Sequence, residues 1–283
     1  MRIIQYHQAK DFIADNLALL EQAEAANNLI IGLAFGIAAG KYPMENCLMF
    51  SVAAGNNTIL AALQTPGRNL TFYGVADAVP SAVEWLHTYC EEHNHIIPGL
   101  VAPKALTVDF ARAWQKQTSI PWKVHMAQRV FQLNEVSEIV EANGSLRKAM
   151  QADKPTIAQW LIQFHEEAIG QDIRGEEMKR AQRMLDADRL YLWEDEKIVS
   201  MAASTRGTKN GVSINAVFTP KSYRKRGYAS SCVANLCLTL LAQGYQFCTL
   251  FTDAGNPTSN KIYQEIGFQE VAKFQAIDFL NPE

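Results

Sequence analysis

Val217-Phe218-Thr219-Pro220-Lys221-Ser222-Tyr223-Arg224-Lys225-Arg226-Gly227-Tyr228-Ala229-Ser230 joins an apolar strand pattern to an amphipathic helix pattern. The loop ends at a helix start and holds one glycine, two small residues and three consecutive cations. Free N–H groups at a helix start, with the positive end of its dipole, form an anion site, and small residues let a phosphate reach the backbone. The segment therefore predicts a strand–loop–helix cradle for a pyrophosphate. It has neither the GxxxxGK[ST] of a P-loop nor the GxGxxG of a dinucleotide fold, which argues against ATP and NAD. From this segment alone, a basic surface turn before a helix is an equal reading.

A second segment shifts that balance. In Leu250-Phe251-Thr252-Asp253-Ala254-Gly255-Asn256-Pro257-Thr258-Ser259-Asn260-Lys261-Ile262-Tyr263-Gln264-Glu265-Ile266-Gly267-Phe268 a strand ends in a polar turn, followed by a short helix closed by Gly267-Phe268. Spacings of four and three residues put Asn256, Asn260 and Tyr263 on one helical face. An Asn/Asn/Tyr face beside a phosphate loop suits an amide-containing cofactor.

The rest of the chain sets the frame. Its 283 residues are 48% hydrophobic and 19% charged, with five cysteines and a formal charge of −3, enough apolar material for one large or two ordinary domains. That balance excludes disordered and collagen-like classes. The apolar stretch over 28–40 is too short for a membrane span of about 20 residues, and the chain opens on no secretory pattern. The odd cysteine count without a CxxC pair argues against disulfides and fits a reducing cytoplasm. Residues 1–140 carry 9 basic and 12 acidic side chains and residues 141–283 carry 17 of each, so no nucleic-acid footprint is expected.

Periodicity predicts two opening helices over 11–26 and 28–38, an antiparallel three-strand meander over 47–75, then helix, strand, helix and strand to residue 133. The second half repeats the order: helices over 156–167 and 176–185, strands over 190–194, 197–203 and 212–219, a helix over 230–243, a strand over 247–252, a short helix and two last strands. The fold class is thus α/β in the α+β sense, in two domains, 1–140 and 141–283, each a mixed, mostly antiparallel sheet flanked by helices.

Arg224-x-x-Gly227-x-Ala229 resembles the (Q/R)xxGx(G/A) signature of the GNAT superfamily of N-acetyltransferases, and Asn256…Asn260…Tyr263…Gly267-Phe268 resembles its closing motif. The resemblance covers roughly residues 146–283, and the whole chain resembles tandem bacterial members with a degenerate first copy. In that copy the matching loop, Ala76-Asp77-Ala78-Val79-Pro80-Ser81-Ala82, has no glycine and no cation.

The resemblance implies an acetyl transfer from acetyl-CoA, as co-substrate, to a primary amine by direct attack. The backbone of Val217, Phe218 and Thr219 would pair with the pantetheine amides and polarise the thioester carbonyl. Arg224, Lys225, Arg226, Gly227, Tyr228, Ala229 and Ser230 would bind the pyrophosphate, mainly through N–H groups, with the three cations adding charge. Tyr263 would protonate the leaving thiolate, Asn256 would anchor the pantetheine arm, and Asn260 would join it or cap local backbone. The strand Ser213-Ile214-Asn215-Ala216 has no Glu to serve as base; Glu166, Glu167 and Asp253 are candidates, with a solvated helix end as the equal reading for the first two.

No metal is expected. His87-x-x-Cys90-x-x-His93-x-His95 has ligand residue types, but successive three-residue steps drift around a helix. Cys232, Cys237 and Cys248 fit buried apolar positions. The implied partners are a small-molecule or peptide amine, with no nucleic acid and no membrane, in a monomer or homodimer. The rival reading is a CoA-binding sensor or interaction module that keeps the fold without turnover.

Overall fold

The computed structural model describes residues 1–168, 170 and 172–280. In chain order the elements are β1 (Arg2–Gln5), α1 (Ala9–Leu20), α2 (Asn28–Ala38), β2 (Leu48–Ala54), β3 (Asn57–Gln64), β4 (Leu70–Gly74), α3 (Val79–His93), β5 (Gly99–Pro103), α4 (Lys104–Thr118) and β6 (Trp122–Leu133). There follow β7 (Ser145–Lys148), α5 (Lys154–Ala168), α6 (Glu177–Asp186), β8 (Leu190–Asp195), β9 (Lys197–Gly207), β10 (Gly211–Phe218), α7 (Tyr228–Ala242), β11 (Phe247–Asp253), α8 (Pro257–Ile266) and β12 (Gln269–Phe279). The class is the expected mixed α/β. Three strands differ from the sequence expectation: β1 precedes the two opening helices, β7 falls where a linker was expected, and β12 is one strand rather than two.

The chain divides into two compact units. Unit 1 comprises Met1–Phe131, Phe251–Asn256 and the segment from Glu270 onward, and unit 2 comprises Gln132–Leu250 and Pro257–Gln269. In unit 1 the strand order is β1-β2-β3-β4-β5-β12-β6. β2, β3 and β4 form the predicted antiparallel meander, β4 runs parallel to β5, and β12 pairs antiparallel with β5 from Phe274↔Pro103 to Asp278↔Gly99.

The continuous apolar run of β2 follows from burial on both faces. Leu48, Phe50 and Val52 point to a core completed by Val83, Leu86, Phe110 and Trp114 of α3 and α4, while Met49 points to the core of α1 and α2 with Phe12, Ile30 and Ile31. The His/Cys run is spread over separate partners: His87 faces Glu91 (3.5 Å), His93 stacks on Tyr89 (4.2 Å), and His95 Nε2 meets Gln64 Oε1 (2.7 Å).

Unit 2 carries β11-β10-β9-β8-β7. One face is covered by α5 and α6, whose Ile157, Trp160, Leu161 and Leu185 pack on Leu190, Leu192, Met201, Ala216 and Phe218. α7 packs on β8, β9 and β10 and is buried at Cys232, Val233, Leu236 and Cys237. The edge strand β7 is pinned by Arg147, whose guanidinium holds Asp153 (2.7 Å) and Glu194 (2.5 Å).

Candidate functional site

β10 and β11 run parallel and pair at Gly211↔Phe247, Val212↔Cys248 and Ser213↔Thr249, after which β10 continues to Phe218. Against β9, Asn215 pairs with Ala203 and Phe218 with Met201, so β10 spends one residue more than its partner. This is a β-bulge. Its marker is Ala216, at φ 50°, a left-handed conformation uncommon for a residue with a Cβ. The side chains of Ala216 and Phe218 are fixed in the α5/α6 core, with Phe218 6.1 Å from the Trp160 ring. Strand β10 therefore ends with its backbone turned out of the regular ladder, and core packing holds it there.

The strand gives way to a loop: Pro220, a 3-10 turn over Lys221–Tyr223, Arg224 in extended conformation, Lys225 at φ 61°, and Gly227 at φ 80°. Gly227 occupies the N-cap of α7 and has no side chain to bond the helix's first N–H groups; the first helical bond runs from Ser231 N–H to Gly227 O (2.9 Å). Serine or aspartate is favoured at an N-cap because it satisfies those donors. Glycine leaves the N–H groups of the opening turn available to an anion, with the helix dipole behind them.

Other contacts stiffen this loop. The Tyr228 hydroxyl donates to Asp195 Oδ2 (2.5 Å), a bond that raises its pKa. Lys197 stands 5.7 Å from the Tyr223 ring, Ser200 Oγ bonds Thr219 Oγ1 (2.8 Å), and Ser231 Oγ accepts the Ala142 N–H (2.8 Å). The Arg224 side chain, itself exposed, bonds back to the chain: Nε donates to Thr219 O (2.8 Å) and Nη2 to Glu167 Oε2 (2.6 Å). Lys225 and Arg226 are exposed.

On α8, Tyr263 has its ring 5.8 Å from Phe268 in T-shaped contact. Burial pushes its pKa up to about 12, with the Cys237 thiol adding to the effect. Gly267 closes the helix at φ 112° with its N–H on Gln264 O (3.1 Å), and a Cβ there would stand 2.7 Å from Ser137 Oγ and 3.0 Å from Glu135 O. That position therefore needs glycine for both conformation and space. Asn260 is buried on the same helix. Asn256 precedes the helix rather than sharing its face; it lies in unit 1 and gives its N–H to Asp253 O (3.1 Å).

Unit 2 thus gathers Val217, Phe218, Thr219 and the run from Arg224 to Ser230 at one strand-to-helix junction. No local residue pattern marks the bulge at Ala216. Nor does the sequence assign Asp195 to Tyr228 or Glu167 to Arg224, although the Glu166-Glu167 pair stands out as charge. A cavity of about 450 Å³ lies elsewhere in unit 2, against Glu141, Arg147, Tyr191 and Asn235, and none of the predicted site residues lines it. Among the described residues there is no cluster of three or more His, Cys, Asp or Glu that fits a metal ion, and no helix long and apolar enough to cross a membrane.

Residues 190–277, from β8 into β12, match the family model for GNAT acetyltransferase. The match spans less than a third of the chain and makes this segment similar to a GNAT acetyltransferase. Solved structures extend the likeness to the whole chain. A GCN5-related N-acetyltransferase from Sphaerobacter thermophilus is similar at TM-score 0.63 and 14% identity, over 99% of this chain and 96% of that one. A GNAT-family acetyltransferase from Colwellia psychrerythraea gives 0.58 and 13%, over 99% of both chains. A tandem GNAT protein from the clavulanic acid biosynthesis pathway gives 0.60 and 10%, over 100% of this chain and 99% of its own. At such identities the likeness shows the fold alone. No curated protein matches the chain.

Proposed function

We propose that the protein is an acetyl-CoA-dependent N-acetyltransferase of the cytoplasm that acetylates a primary amine. The observation that carries this reading is the glycine-capped N-terminus of α7, opening directly beyond the bulged end of β10. The residues fit a diphosphate: Gly227 leaves the helix donors uncapped, its missing side chain keeps the approach open, and Lys225 and Arg226 add positive charge at the rim. Bound acetyl-CoA would supply the acetyl thioester.

The chain's own groups then divide the work. Backbone N–H groups around the bulge at Ala216 would polarise the thioester carbonyl and stabilise the developing negative charge. Tyr263, held protonated far above neutral pH by burial, would give its proton to the departing sulfur. Glu166 and Glu167 are engaged with arginines, which speaks against either as the base. Asn260, on the same helix as Tyr263, would hold the amide-rich arm of the donor.

Calorimetric titration of the protein with acetyl-CoA tests the donor, with one site per chain expected. Tyr263→Phe removes the hydroxyl and keeps the ring packed on Phe268. It should lower kcat by about 10²–10⁴ in an amine screen and leave acetyl-CoA affinity within about twofold. An unchanged kcat would exclude Tyr263 as the acid. Binding without turnover on any amine would favour the sensor reading.

A further inference from the structure

Arg224, the first residue of the cofactor signature, is exposed, yet its guanidinium is already bonded within the chain. It bonds Glu167 in the last turn of α5, bonds the carbonyl of Thr219 at the end of β10, and lies 5.8 Å from the centroid of the Phe218 ring. Lys221 stands 3.9 Å from the other Glu167 oxygen. The neighbouring residues of α5 hold other segments: His165 Nε2 accepts from Arg180 (3.1 Å) on α6, and Glu166 pairs with Arg174. Of the three His165-Glu166-Glu167 side chains, Glu167 is thus the one directed to the phosphate loop.

A planar guanidinium that bonds a carboxylate through Nη2 and a carbonyl through Nε fixes the relative position of both partners, which a lysine cannot do. The loop crosses two residues in left-handed conformation, Lys225 and Gly227, immediately after this anchor. A fixed anchor orders the loop before a ligand arrives and lowers the entropy lost on binding.

We propose that Glu167 is a positioning residue for the donor's diphosphate: through Arg224 it locks the 220–227 loop so that the first N–H groups of α7 converge, and Arg224 itself is an anchor rather than a phosphate ligand. The proposal rests on the acetyl-CoA reading above. The two roles of Arg224 give opposite results on Glu167→Gln. If Arg224 is the anchor, releasing it loosens the loop and weakens acetyl-CoA binding. If Arg224 is a phosphate ligand, releasing it frees a cation and tightens binding.

The test uses the full chain as wild type, Glu167→Gln, Arg224→Lys and, as a same-helix charge control, Glu166→Gln. Acetyl-CoA affinity is read by calorimetry and loop order by amide hydrogen exchange of residues 220–228 without ligand. The anchor role predicts that Glu167→Gln and Arg224→Lys each raise Kd and KM about fivefold or more, keep kcat at saturation, and speed loop exchange. Glu166→Gln should change none of these. Equal or tighter acetyl-CoA binding by Glu167→Gln, or unchanged loop exchange, overturns the proposal. Failure of the wild type to bind acetyl-CoA overturns the donor reading instead, and the exchange comparison still judges the anchor.

Discussion

Replacing Gly227 separates the two things this residue supplies, a backbone conformation and an empty space. At φ 80° an L side chain is strained, whereas a Cβ would meet only the Ala142 Cβ, at an ordinary 3.6 Å. Gly227→Ala therefore costs conformational energy without a clash. The left-handed penalty is about 1–2 kcal/mol, and loss of unfolded-chain freedom offsets about 0.4–1 kcal/mol of it. The net is about 1 kcal/mol, or about 2–4 °C in Tm for a domain of this size. Gly227→Asn, whose side chain tolerates this conformation, should shift Tm less.

Affinity should follow a different order. Gly227→Glu places a carboxylate on the anion cradle. At about 5–6 Å and an effective dielectric of about 20–30, each phosphate charge meets a repulsion of about 2–3 kcal/mol. That corresponds to a loss of acetyl-CoA affinity of about thirtyfold or more. The assay pairs thermal unfolding with calorimetric titration across wild type and the Asn, Ala and Glu variants. Folded Gly227→Glu protein that binds acetyl-CoA within threefold of wild type would refute the cradle.

Two further expectations concern the scaffold. Burial pushes the thiols of Cys232 and Cys90 and the hydroxyl of Tyr263 up to about 12, so the folded chain keeps protons that the unfolded chain releases earlier. Their contribution is complete below about pH 9 and is lost as pH climbs through 12; urea unfolding between pH 8 and 11 should show stability falling, and a flat profile would contradict the burial argument. Gly99→Ala would drive a Cβ to 2.0 Å from the Ile277 carbonyl oxygen in the β5–β12 pair, so unit 1 should lose about 1–3 kcal/mol or more, and an unchanged unfolding midpoint would contradict that register.

The glycine-capped start of α7 could be read from sequence because its physics is local. A glycine between a cationic loop and a helix pattern specifies an uncapped helix start with little help from the rest of the chain, and Gly267 before Phe268 likewise marks a helix end. Strands β1 and β7 escaped because nothing local demands them. Ser145-Leu146-Arg147-Lys148 becomes a strand only by pairing with β8, from Ser145↔Glu194 to Lys148↔Tyr191, and by the Arg147 bonds to Asp153 and Glu194. The bulge at Ala216 is equally non-local, since an extra residue exists only relative to the register of β9.

The same distinction governs the cations. Arg224, Lys225 and Arg226 are indistinguishable as charge in the sequence and all three are exposed in the fold, yet the first is held by Glu167 and the Thr219 carbonyl. A motif read as three phosphate-binding cations thus contains one whose guanidinium is already bonded to the chain, which is the basis of the anchor role proposed above. The residue type at the head of the signature is required for its fork geometry, which is why Arg224→Lys, conserving charge and changing shape, is the sharper substitution.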